Sequence, residues 1–272
     1  MRLRLPISAL LAISIPLVGS TRFIGAALIP ASSANNGSVR TPVLVELFTS
    51  EGCSSCPSAV ALLQRLDRSQ PVSGAELIVL SEHVDYWNDI GWRDPYSSHE
   101  YSERQSAYAA QFGLGGVYTP QMVVDGRFEF VGSDERRASQ AVREAAMAPK
   151  VPVHVLFGSG DATETIVHVE AGPLPSSIAT QPAGVFLAIA DNTDESQVSR
   201  GENAGRTLQH VAVLRNLIRI GAVDETAAFS RNVKVDLNSR NLNNLRIVVI
   251  VQEAKVGRVL GAGFARFARF GN

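Results

Sequence analysis

Only two of the 272 residues are cysteine. That scarcity excludes a small scaffold stapled by disulfides and any zinc site built mainly from thiolates. Glycine (22) and proline (13) stay at ordinary levels, so neither a collagen repeat nor low-complexity disorder fits. No internal repeat is visible. An excess of one charge is also lacking, since 25 basic residues face 26 acidic ones. Removing Arg2, Arg4 and Arg22 with the first 34 residues leaves 22 against 26, a balance opposite to that of a nucleic-acid-binding surface. Beyond the N-terminal region no apolar run is long enough to span a bilayer. What remains is a chain with 45% hydrophobic residues, enough for one large domain or two ordinary ones.

Arg2 and Arg4 precede an apolar run from Leu5 to Val18, the pattern of an export signal. Arg22 separates it from a second apolar stretch, Phe23 to Ile29, and keeps each below spanning length. Small residues suit cleavage after Ser20 or after Ala34. The later site is preferred and gives a signal peptide over residues 1–34, with an uncleaved anchor as the only expected attachment to a membrane. The expected location is secreted or periplasmic, where a cysteine pair persists as a disulfide.

The short β-branched run Val43 to Phe48 reads as a buried strand interrupted by one acid, Glu46, expected on the side facing the first helix. Pro57 suits the first turn of that helix, whose apolar positions Val60, Leu63 and Leu66 recur every three residues. Leu77 to Leu80 is a second strand, and a helix runs from a Ser97 or Ser98 cap to Phe112, ended by Gly113. Asp125-Gly126 marks a tight hairpin between Gln121–Val124 and Phe128–Val131, and Ser133 is expected to cap a helix over Asp134 to Met147. After Ala148-Pro149-Lys150 the helical signals fade. Strand-like runs follow at Val151–Phe157, Thr165–Ala171, Val185–Ala190, Val211–Ile220, Val233–Leu237, Ile247–Gln252 and Val259–Arg266. They suggest an antiparallel β-sandwich over residues 150–272, behind an α/β domain over residues 35–149.

Cys53-Ser54-Ser55-Cys56 holds both thiols of the chain at the N-terminal end of a helix. Two intervening residues let the sulfurs close a small disulfide, and free helix amides favour a thiolate on the first. Cys53 is therefore expected to be the more exposed thiol and the nucleophile, with Cys56 resolving the mixed disulfide. Half a zinc knuckle has the same spacing, but no second pair completes one. An isolated structural disulfide is the plain alternative, although so short a loop constrains the unfolded chain little.

The order strand, C-x-x-C helix, strand, helix, then Thr119-Pro120 leading into a hairpin and a last helix resembles thioredoxin. That resemblance implies a cis peptide bond before Pro120 and a Thr119 backbone facing the dithiol. It also implies that Glu46, an acid on the strand feeding the motif, serves as proton acceptor for the resolving thiol, Cys56, with a satisfied buried or edge carboxylate as the alternative. Glu46 lies one residue further from the motif than the thioredoxin acid does, and Gly52 stands where thioredoxin has tryptophan. More narrowly, E-L-F-T-S-E-G-C-S-S-C-P from Glu46, H-V-D-Y-W from His83, G-V-Y-T-P-Q-M-V-V-D-G-R from Gly116 and G-E-N-A-G-R-T-L-Q-H from Gly201 resemble the secreted, thioredoxin-like domain-of-unknown-function 1223 family. The resemblance covers roughly residues 40 to 270 and implies thiol–disulfide chemistry. It names no substrate.

The expected function is thus exchange with protein thiols or disulfides, without an organic cofactor. One rival has Cys53, Cys56 and His83 hold copper; another keeps the redox fold as a binding module. The stretch around Trp87 and Trp92 either walls a groove beside the dithiol or buries its own tryptophans. Gly201 to Arg206 is only superficially a phosphate loop, because no helix and no lysine-serine pair follow, and His210 reads as a packed or edge histidine.

Overall fold

A computed structural model describes residues 40–160, 163–179, 181–237 and 241–267. The expected signal over residues 1–34 lies outside them. Strands β1 (Thr41–Thr49) and β2 (Ala75–His83) flank helix α1 (Cys56–Ser69) in the sequence and pair in parallel. Helix α2 (His99–Phe112) follows, then the hairpin of β3 (Gln121–Val124) and β4 (Phe128–Val131), and helix α3 (Glu135–Ala146). The Asp-Gly signal is realised as a turn with Asp125 and Gly126 both at positive φ. Asp134, rather than Ser133, caps α3 by accepting from Arg137 N at 2.8 Å.

Alternation along β1 sorts the layers. Val43, Val45 and Leu47 pack with Leu62 and Leu63 of α1 and with Ala138 and Val142 of α3. Leu44 and Phe48 face the other way, toward Tyr101 and Tyr108 of α2. Each fully buried leucine contributes roughly 1.5–3 kcal/mol by leaving water.

The later strands are β5 (Val153–Gly160), β6 (Glu164–Ala171), β7 (Ala183–Gln197), β8 (Thr207–Val223), β9 (Phe229–Asp236), β10 (Leu245–Gln252) and β11 (Val259–Arg266). Four of them extend the first sheet, which runs β11-β10-β7-β8-β2-β1-β3-β4, while β5-β6-β9 form a separate three-stranded sheet. The join is a parallel contact of Ser81 with Val213. The small sheet packs on the far part of the large one through Val155, Val167, Leu187, Ile247 and Val249. Two sheets therefore do face each other, as in a sandwich, but one of them is shared with the helical half. Residues 148–150 mark where the helices stop, and the sheet continues past them. Leu44, Ile78 and Leu80 share a single apolar cluster with Ala188, Leu214 and Val248, so the large sheet is cemented across that point. All described residues belong to one compact unit. Among them no helix is long and apolar enough to cross a membrane.

Strands β7 and β8 are longer than their apolar runs suggest. They project beyond the sheet as a polar hairpin pairing Thr193–Gln197 with Thr207–Val211. Its tip, residues 198–206, reaches the C-x-x-C loop.

Candidate active site

Cys53 and Cys56 form a disulfide with Cα atoms 5.4 Å apart, and Cys56 is the first residue of α1. Pro57 occupies the first turn, where its missing N–H has no helical partner to lose. Both cysteines are only 1% exposed, so exposure does not single out Cys53 as expected. The β7–β8 tip holds the loop around Cys53. Asn203 Nδ2 donates to the carbonyl oxygens of Glu51 (2.8 Å) and Cys53 (3.0 Å), and Glu202 Oε2 accepts from Ser54 N at 3.0 Å. Hydrogen bonds from the Ser54 side chain and amide hold the Glu202 carboxyl below its usual range. Asn203 is fully buried. Gly201 of the tip and Gly91, both at positive φ, lie against each other, and a Cβ on Gly201 would stand 3.2 Å from Trp92 Cβ.

The segment between β2 and α2 covers the other side. A Cβ on Gly52 would lie 3.1 Å from Trp87 Cβ, so the absence of a side chain at position 52 admits the indole. Trp87 Nε1 then donates to Thr119 Oγ1 at 2.8 Å, joining the C-x-x-C loop to the segment before β3. The Thr119–Pro120 peptide bond is cis. Pro120 and Ala59 of α1 both approach Gly132, whose Cβ would stand 3.2 Å from each. Trp92 Nε1 donates to Glu51 Oε2 at 2.7 Å. Both tryptophans thus flank the C-x-x-C loop.

Glu46 is not part of this site. It is fully buried, but Val45 and Leu47 face α1, and the intervening Glu46 points to α2. There Arg104 donates to Oε1 from Nε (2.8 Å) and Nη2 (2.6 Å), and Tyr108 donates to Oε2 at 2.7 Å. A strand's two-residue period puts the first helix and Glu46 on opposite faces, and α2 supplies the cation that nearby sequence did not show. Glu82 adjoins the pair. Burial, and then the Glu46 charge, push its carboxyl well above the usual range, with Arg104 opposing.

Ser55 Oγ lies 3.3 Å from Cys53 Sγ, and a further set of buried polar groups adjoins the C-x-x-C loop. Glu51, two residues before Cys53, is buried, and its Oε1 accepts from Ser196 Oγ and meets His210 Nε2 at 2.9 Å. His83 Nδ1 meets Asp94 Oδ2 at 2.7 Å, and the same Asp94 oxygen accepts from Glu51 N at 2.8 Å. Burial raises the Asp94 carboxyl, but the His83 pairing and the N–H donors of Glu51 and Tyr96 outweigh it and hold it below the usual range. The rings of His83, Tyr96 and His210 touch edge to face with centroids 5.0–5.3 Å apart. His83 is therefore committed to Asp94 rather than turned to the sulfurs. Among the described residues no group of three or more His, Cys, Asp or Glu is arranged to hold a metal ion.

A cleft of about 230 Å³ opens beside the disulfide, between α1 and the start of β8. Cys56, Pro57, Val60, Gln64, Leu208 and His210 line it. Of these, sequence marked only Cys56 as a site residue. Glu51, Ser196, Asn203 and His210 come from segments up to 159 positions apart, and the one local hint was an acid two places before Cys53.

This fold and site define a mixed α/β protein with a large, mostly antiparallel sheet and a buried two-cysteine centre at a helix N-terminus. The chain belongs to the family described as Protein of unknown function (DUF1223), which matches residues 44–252. It is similar to the X-ray crystal structure of protein AGR_C_4864 from Agrobacterium tumefaciens, with 26% identity and a TM-score of 0.66 over 86% of this chain and 97% of that one. It is similar also to HBP35 of Porphyromonas gingivalis, at 14% identity and a TM-score of 0.63 over 86% of this chain and 77% of that one, a likeness of fold alone. No curated protein matches the chain.

Proposed function

We propose that this protein is an exported thiol–disulfide exchange protein on a thioredoxin-like scaffold. Cys53 and Cys56 cycle between disulfide and dithiol while cysteines of a partner protein undergo the opposite two-electron change. The observation that carries this reading is the pairing of the chain's only two cysteines across the N-terminal end of α1, beside a cleft. A purely structural bond fits less well, because a loop this short restricts the unfolded chain little. Cys53 takes the nucleophilic role, favoured by the free amides of the α1 N-terminus, and Cys56 the resolving one. The N-terminal arginines and apolar run support export to an oxidising compartment.

Insulin reduction and recovery of scrambled ribonuclease test the activity in its reductive and isomerising directions. Both are expected to require Cys53, and Cys56→Ser should accumulate mixed disulfides with partners in the native compartment. A wild-type protein with no more activity than its Cys53→Ser variant in either assay, and no trapped adducts, would overturn the reading.

A further inference from the structure

Thiol exchange needs a group that takes and returns the proton of the resolving cysteine, and Glu46 faces the wrong side of the sheet to do so. We propose that His210, oriented by Glu51, is the proton acceptor and donor for Cys56. This assignment rests on the thiol–disulfide reading above and names a catalytic residue within it.

Three observations carry it. His210 and Cys56 line the same cleft, one from β8 and the other from α1. His210 Nε2 lies 2.9 Å from Glu51 Oε1, and a carboxylate at that nitrogen fixes the proton there, leaving Nδ1 with its lone pair. Nδ1 is buried without a hydrogen-bond partner; among the described residues the only other such side-chain atoms are the two oxygens of Glu82. Buried polar atoms are nearly always paired, so the orphaned Nδ1 of a histidine that lines the same cleft as Cys56 has a lone pair left to accept that thiol's proton. Glu51 is then a positioning residue, held by Trp92 and Ser196.

The groups facing His210 are Glu51 before α1, His83 on β2 with its partner Asp94, Tyr96, and Asp194 opposite it on β7. Asp194 is itself paired with Arg215 at 3.2 Å. The positive charge that the ring takes up with the thiol proton is therefore met by Glu51 at contact distance.

In the mixed disulfide, Cys53 Sγ is bonded to a partner sulfur. The Cys56 thiol proton passes to His210, and the Cys56 thiolate attacks Cys53 Sγ. The Cys53–Cys56 bond forms as the bond to the partner breaks. Its electron pair leaves on the partner sulfur, which takes up the proton from the imidazolium. Over the full reaction two electrons pass from the dithiol to the partner disulfide.

The test uses a Cys53→Ser background, in which Cys56 alkylation by iodoacetamide is followed as a function of pH. With His210 present, reactivity should persist well below the ordinary thiol inflection of roughly 8.5. Adding His210→Gln should slow alkylation at least about tenfold two pH units below that inflection and return the profile to a single thiol inflection, with the melting temperature measured alongside. Superimposable profiles would overturn the proposal. If His210→Gln fails to fold, the imidazole of His210 is titrated by NMR in the wild-type protein. Its titration should move between disulfide and dithiol forms, and an identical curve in both would overturn the proposal. Neither readout uses partner turnover, so an inactive wild type in the insulin and ribonuclease assays would remove the functional reading without deciding this one.

Discussion

Arg104 is shared unequally by two buried acids: Glu46 holds it at 2.6 Å, while Glu82 Oε1 stands 3.7 Å from its Nε. Burial, and then the Glu46 charge, raise the Glu82 carboxyl against this weaker pull, so the folded protein releases the Glu82 proton at higher pH than the unfolded chain, which does so at about pH 4.3. A raised acid of this kind lowers stability as pH climbs from that value toward the native one. Glu82→Gln should remove the loss, giving a higher melting temperature than wild type at neutral pH and a difference that vanishes as pH falls to about 4. Glu46→Gln should act oppositely, costing roughly 1–3 kcal/mol at neutral pH because Arg104 loses its close counter-charge. Thermal denaturation of both variants at the two pH values checks the pair. A Glu82→Gln profile parallel to wild type would place the proton elsewhere. That Glu46 would be buried was legible in its apolar strand. The face it occupies and its partner 58 residues away were not, since each depends on which side α2 packs.

At the scale of elements, the polar end of the β7–β8 hairpin decides access to the sulfurs. Asn203→Ala removes two hydrogen bonds to the C-x-x-C loop and should let dithiothreitol reduce the Cys53–Cys56 bond several-fold faster, with about 1–2 kcal/mol of stability lost. Stopped-flow reduction measures it, and an unchanged rate would mean that the tip does not gate the disulfide. This element was also the hardest to read. Helix α1 declared itself through apolar spacing and proline, α2 through a serine cap and a glycine stop, α3 through a capping residue placed one position early, and the β3–β4 turn through Asp-Gly. Asp191 to Gln197 carries almost no apolar residue, so the usual strand signal ends near Ala190 although the strand continues. Its ladder is satisfied by β8 and by site contacts that leave no local trace.

For the whole molecule, the shared sheet makes the helical half dependent on the rest. Cutting after residue 149 would strip β2 of β8 and expose Ile78 and Leu80 where Ala188, Leu214 and Val248 now pack. A fragment of residues 38–149 is expected to lack cooperative thermal unfolding and to show little amide protection; a sharp transition would establish that half as an independent domain. The change of pattern at residues 148–150 marks where the helices stop and strands take over, and the unfolding of that fragment decides whether it is also a domain boundary. Asn203 holds the C-x-x-C loop by the carbonyls of Glu51 and Cys53, atoms that every residue possesses. Asn203's share of the clasp is blind to the letters between the cysteines, so Ser55, exposed and with its Oγ 3.3 Å from Cys53 Sγ, is a dial on which redox poise can drift over evolutionary time while those two bonds stay the same.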